Sequence, residues 1–200
     1  MKAKKNDILI VVDMQNDFIT GVLGTKEAVD ILPRVREKIK RWKGKVIFTR
    51  DTHQKETYLK NSIEGTRIPL HCVKGSSGWE IEESLTGLVK DGETYLDKYD
   101  RFADPMIAMK CTGIDRIEIV GVCTDICVLA TALSFRCAHP DIGIYVDASC
   151  CAGTNPGKHR QALEVMKSCC INVLNDERMR GGRNDIRAAE NVSENKTENI

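Results

Sequence analysis

The chain has 200 residues, 42% of them hydrophobic, which is enough to bury one sizeable core, and its 30 Lys+Arg against 29 Asp+Glu leave a net charge of +1. That balance supplies no overall field for collecting nucleic acid or an anionic membrane, so the expected partner is a small molecule. No stretch approaches the roughly 18 apolar residues of a membrane span. The basic start MKAKKNDILIVVDM meets Asp13 where a signal peptide would present small residues for cleavage. Nine cysteines without a secretory signal read as reduced thiols in a cytoplasmic protein, with the vicinal pairs Cys150-Cys151 and Cys169-Cys170 as packing residues.

Taken in chain order, ILIVVDM (8–14) is a continuous apolar run of strand length, and AVDILPRVREKIKRWK (28–43) places its apolar residues at helical spacing. KVIFTRD (45–51) is a second strand. Residues 52–78 show no sustained period, which marks a long, irregular loop of functional interest. WEIEESLTGLVK (79–90) has helical spacing, TYLDK (94–98) reads as a third strand, and Asp104-Pro105 starts another helix. RIEIVGV (116–122) runs straight into TDICVLATALSFRCAH (124–139), a helix for which Thr124 or Asp125 is the expected cap. IGIYVDA (142–148), a helix beginning at Asn155-Pro156, and INVLN (171–175) complete the pattern. Apolar runs without alternation suit strands covered on both faces, and their alternation with helices implies right-handed crossovers. The expected fold is therefore α/β, a three-layer α/β/α sandwich around a largely parallel six-stranded sheet, as one domain over residues 1–180. Residues 181–200 are polar and expected to be disordered.

In open parallel sheets ligands gather beyond the carboxyl ends of the strands. Asp13, Asp51, Lys98 and the segment Cys123–Cys127 all fall there. A cysteine at a helix N-terminus gains thiolate character, which a nearby cation such as Lys98 strengthens, and a carboxylate such as Asp13 is suited to taking the thiol proton. Cys127 is therefore a candidate nucleophile; taken alone, a cysteine is more often an ordinary small buried residue. Asp51 with His53, and Glu64 with His71, offer carboxylates and imidazoles that suit zinc, iron or manganese better than calcium or magnesium. Spacing alone leaves these four as either ligands or polar loop residues. Joint zinc ligation by Cys123 and Cys127 is the weakest alternative, because no second cysteine pair stands at a suitable spacing.

Four segments, VVDMQNDF (11–18), TRDTH (49–53) with IPLHCVKGSSG (68–78), LDKYDRFAD (96–104) and GVCTDICV (121–128), resemble in order the motifs of the isochorismatase-like cysteine hydrolases of nicotinamidase (pyrazinamidase) type. The resemblance runs from about residue 8 to about 175. It implies catalytic roles for Asp13, Lys98 and Cys127, and an oxyanion hole formed by the backbone N–H groups of Cys123 and Cys127, with a cis peptide before Cys123. It implies one divalent metal, zinc before iron or manganese, held by Asp51, His53, His71 and, as an acidic fourth ligand, Glu64. The implied substrate contacts are Phe18 and Ile68, together with Tyr99 or Phe102. Ile68 replaces an aromatic that often stacks on the substrate ring. The implied reaction is hydrolysis of nicotinamide to nicotinate and ammonia through a thioester. The alternative is another member of the superfamily acting on a different amide or carbamoyl compound. Self-association into a homo-oligomer is also implied.

Overall fold

The computed structural model describes residues 6–89, 93–110 and 113–176; the expectation for residues 181–200 lies outside them. In chain order the elements are β1 (Asp7–Val12), the single turn α1 (Asn16–Ile19), α2 (Lys26–Arg41), β2 (Lys45–Thr52), α3 (Lys55–Asn61), β3 (Thr94–Tyr99), α4 (Pro105–Lys110), β4 (Arg116–Val122), α5 (Leu129–Ala138), β5 (Gly143–Ala152), α6 (Pro156–Ser168) and β6 (Asn172–Leu174). The strands lie in the order β3-β2-β1-β4-β5-β6 and every pairing is parallel. The strand order reverses between β1 and β4, so the carboxyl ends of these two strands flank the crevice in which such sheets bind ligands.

Burial on both faces explains the unbroken apolar runs. All six residues of β1 and all seven of β4 are buried. Ile8, Ile10 and Val12 join the core under α5 and α6, whereas Leu9 and Val11 join the opposite core under α2. Helix α2 begins where the Thr25 side chain accepts the Ala28 N–H, and it buries Ala28, Ile31, Val35 and Ile39 along one stripe. Asn155 caps α6 at the Lys158 N–H, and Pro156 takes the first position, where no N–H is needed.

Three local expectations change. Residues 79–90 form no long helix: of the described part, only Glu83–Leu85 makes a single 3₁₀ turn. Their backbone groups are taken by tertiary partners, with Asn16 N–H donating to Glu80 O at 3.0 Å, Glu82 N–H to Met14 O at 2.9 Å and the Gln15 side chain to Trp79 O at 2.8 Å. Within the stretch expected to be irregular, Lys55–Asn61 forms α3, anchored by the fully buried Tyr58. Neither Thr124 nor Asp125 caps the helix after β4. Residues Thr124–Val128 form a π turn preceding α5, and both side chains bond elsewhere.

Helix α2 is also held to the sheet by charge. Lys38 pairs with Glu118 of β4 and lies 2.5 Å from Asp147 of β5, both carboxylates being buried. Burial favours the neutral acid, yet Lys38, Ser149 and Asn175 hold Asp147 below its ordinary pKa. A depressed carboxylate stabilises the fold above its unfolded pKa, and that contribution is lost as pH falls through the folded value. Lys38→Ala should therefore cost about 3 kcal/mol near neutral pH, because it leaves the buried Asp147 carboxylate without its cation. The cost should shrink on acidification below the ordinary carboxylate pKa of about 4. Urea denaturation of both proteins across that range checks this, and a pH-independent difference would contradict it.

Candidate active site

Three adjacent strands each deliver one group to the same point. Asp13 follows β1 with φ of 48°, a left-handed conformation that Asp tolerates better than most side chains, and it is fully buried. Thr49 of β2 donates its hydroxyl to Asp13 Oδ1 at 2.7 Å. Lys98 of β3 places Nζ 2.6 Å from Asp13 Oδ2 and also donates to Phe102 O at 2.9 Å and Arg101 O at 3.3 Å.

Cys127 arrives on the π turn after β4. Gly121 has φ of 119°, and a Cβ there would stand 2.1 Å from Val12 O. Only glycine lets β4 approach the end of β1 this closely. The Val122–Cys123 peptide is cis. The Cys123 carbonyl accepts the N–H groups of both Ile126 at 3.0 Å and Val128 at 3.1 Å, which closes the turn. The Cys127 thiol is buried beside Asp13 and within the field of Lys98.

The electrostatics revise the expectation of a lowered thiol pKa. Burial pushes the Cys127 thiol well above its ordinary value, and the pull of Lys98 does not reverse that. The resting group is therefore a thiol. Burial also raises Asp13 above the usual carboxylate value, against the opposing charge of Lys98, and so makes it a better proton acceptor. Lys98 remains charged: burial pulls its pKa down, but the charge of Asp13 and its hydrogen bond hold it above normal. Burial and the neighbouring Asp125 push the Cys123 thiol up to about 12.

Beside this set lies a second cluster. One ligand atom from each of Asp51, His53, Glu64 and His71 falls within 4.8 Å of the others. His53 Nε2 and His71 Nε2 stand 3.2 Å and 3.1 Å from Asp51 Oδ2, and Glu64 Oε1 is 3.9 Å from His71 Nε2. The outer nitrogens are tied down: His71 Nδ1 is 2.8 Å from Pro69 O and His53 Nδ1 is 2.8 Å from Asp100 Oδ1. A carbonyl only accepts, so His71 Nδ1 donates to Pro69 O and Nε2 is turned toward the Asp51 carboxylate. Burial pulls His53 down, yet Asp51 and Asp100 raise it to about 9. Burial likewise favours neutral Asp51, but hydrogen bonds from His53 and His71 hold it well below the carboxylate range. The donor set, two imidazoles and two carboxylates with the histidines oriented from behind, fits a divalent metal.

The remaining candidates separate. Phe18 packs edge-on to His71 with ring centroids 5.3 Å apart, at the metal cluster. Ile68 is half-buried, and its carbonyl accepts the Tyr58 hydroxyl at 3.1 Å. Tyr99 points away from Lys98, as strand alternation requires, and packs against Lys74. Phe102 is exposed and contributes its carbonyl to Lys98. Sequence reasoning missed Asp100, Thr49, Tyr58 and Gln15. Asp100, Thr49 and Gln15 lie inside the quoted motifs, so their signal was proximity; Tyr58 becomes visible only through tertiary contact. A cleft of about 730 Å³ between α2, α6 and the end of β5 holds none of either cluster.

Residues 7–178 match the Isochorismatase domain family. The chain belongs to the isochorismatase family. The nicotinamidase of Schizosaccharomyces pombe is 27% identical over 208 residues, spanning 84% of this chain and 93% of that one. A probable inactive nicotinamidase of Arabidopsis thaliana is 26% identical over 180 residues, spanning 82% and 89%. The structure of the pyrazinamidase of Pyrococcus horikoshii in complex with zinc is 31% identical, with a TM-score of 0.70, covering 84% of this chain and 98% of that chain. Among the described residues no helix is long and apolar enough to cross a membrane.

Asp100 touches the cluster only through His53, so Asp100→Ala should leave the four donors in place and weaken metal binding by about 10- to 100-fold. Competition against a chromogenic chelator measures this. Unchanged affinity would mean that His53 needs no orienting partner.

Proposed function

We propose that the protein hydrolyses nicotinamide, or a close heteroaromatic carboxamide, to the acid and ammonia. Names of relatives do not decide this, since both a nicotinamidase and a probable inactive one are similar to this chain at nearly equal identity. The observation that carries it is the buried Asp13, Lys98 and Cys127 set standing directly beside the four-donor cluster, with Asp51 opposite Lys98 in the sheet register. Such a pairing suits a substrate with a reactive amide at one end and a metal-binding ring nitrogen at the other.

Asp13 accepts the Cys127 proton, and Lys98 stabilises the charge that develops between them. The thiolate forms a bond to the carboxamide carbon, and the resulting oxyanion is taken by the backbone N–H groups of Cys123 and Cys127, each worth roughly 3 kcal/mol in comparable sites. Asp13 returns its proton to the amide nitrogen, the C–N bond breaks and ammonia leaves a thioester. Asp13 then deprotonates a water whose oxygen attacks the thioester carbon; the carboxylic acid departs and the thiol is restored. Asp51, His53, His71 and Glu64 would hold a divalent metal, zinc by our reading, which would supply Lewis acidity to the ring end of the substrate. Phe18 bounds the ring on the side of His71.

Ammonia release from nicotinamide by the metal-loaded protein tests the reaction. Cys127→Ala should lower kcat by about 10⁴-fold or more, as loss of a nucleophile does in comparable enzymes. Cys123→Ala should retain most of it, because only its backbone takes part. Since burial raises Asp13, the acid limb of kcat/KM should lie above the ordinary carboxylate pKa of about 4; a limb at or below that value would remove Asp13 as the base. No ammonia from a protein whose Cys127 still reacts with iodoacetamide would redirect the search to a different amide or carbamoyl substrate, for which the aliphatic Ile68 gives reason.

A further inference from the structure

The proposed chemistry requires the Cys127 sulfur and two N–H groups to hold one arrangement, yet they sit on a π turn, a conformation that seldom persists without a local cause and often marks functional sites. Its own backbone explains only the closure at Cys123 O. What fixes the turn relative to the sheet is a pair of side chains within it that reach to the same remote segment. Asp125 accepts two hydrogen bonds from Thr154, from the N–H through Oδ1 at 2.7 Å and from the hydroxyl through Oδ2 at 2.7 Å. Thr124 Oγ1 lies 2.8 Å from His159 Nδ1 on α6. Gly153 makes this approach possible: a Cβ there would stand 2.9 Å from both Asp125 Oδ1 and the His159 Cα. The segment from Gly153 to His159 is itself anchored by the end of β5 and the Asn155 cap of α6.

We propose that Asp125, through its two hydrogen bonds to Thr154, is a positioning residue that sets the nucleophile turn against Asp13 and Lys98. A neutral acceptor at one carboxylate oxygen would leave the turn hinged on one bond; two charge-assisted bonds to a backbone N–H and its own hydroxyl fix both position and rotation. The inference rests on the reading of Cys127 as the nucleophile. It concerns geometry only and involves no contact between Asp125 and substrate.

The test compares Asp125→Ala, Thr154→Val and Thr154→Ser with the wild-type protein, all metal-loaded. Two measurements are made: kcat and KM for nicotinamide, and the rate of iodoacetamide modification at Cys127, followed by peptide mass spectrometry with the exposed Cys137 as internal reference. Misplacing a reacting group by about an ångström costs on the order of 100-fold. Asp125→Ala should therefore lower kcat by about 10- to 100-fold while KM changes less than about threefold, and should slow Cys127 modification relative to Cys137. Thr154→Val keeps the N–H bond and loses the hydroxyl, so its effect should be smaller, and Thr154→Ser should restore both readouts. Wild-type kcat and Cys127 reactivity in Asp125→Ala would overturn the proposal, as would a Thr154→Ser variant no better than Thr154→Val. The alkylation arm needs no substrate: slowed Cys127 modification with rescue by serine supports the brace even if nicotinamide proves not to be hydrolysed.

Discussion

A lysine ammonium buried at the end of a parallel sheet is the constraint around which the rest is arranged. Moving such a charge out of water costs several kcal/mol unless every donor finds an acceptor. Lys98 is 1% exposed, and its three N–H bonds match three acceptors, Asp13 Oδ2, Phe102 O and Arg101 O. Asp13 can serve as its counterion only because β2, lying between β1 and β3, contributes the small Thr49 where a bulky residue would intervene. The chain after β3 must turn back so that its carbonyls face the ammonium. The same contacts that make the charge tolerable also set the acid and base of the proposed reaction, so stability and chemistry share their atoms.

The second cluster uses the same frame. Gln15 behaves as a short piece of strand: its amide donates to Asp51 O at 2.8 Å and accepts the Asp51 N–H at 2.7 Å, while its second donor reaches Trp79 O. One buried side chain therefore locks the end of β2 to the start of the loop after β1 and to the segment that follows the metal residues. Asp51 belongs to both neighbourhoods, hydrogen-bonded to the histidines and close enough to Lys98 and Asp13 to shift their proton affinity. The two clusters cannot drift apart without breaking that frame.

How much of this could be read from the chain follows from which interactions are local. The strands were legible because burial on both faces leaves runs such as ILIVV and IVGV without polar interruption, and their ends located Asp13, Lys98 and Cys127. The expected helix at 79–90 failed because periodicity counts side chains only; the backbone groups of Glu80 and Glu82 were already engaged by Asn16 and Met14, more than 60 residues earlier. A capping role for Asp125 was a reasonable local inference, but its carboxylate found a stronger pair of donors 29 residues away. The lowered pKa expected for Cys127 considered the helix terminus and Lys98 and left out desolvation, the largest contribution for a fully buried thiol.

The reactive end and the recognition end are held by different means, and this bears on how the site could change specificity. Asp13, Thr49 and Lys98 come from the sheet, where a substitution would strand a buried charge. Position 68 is on a loop, and Tyr58 holds it by its backbone carbonyl, while the same Tyr58 ring packs against His53 and His71. The anchoring of the second histidine is therefore indifferent to which side chain residue 68 carries. An aromatic could give way to isoleucine there with the metal donors and the thiol unmoved, so a change in the substrate accepted need not disturb the groups that cleave it.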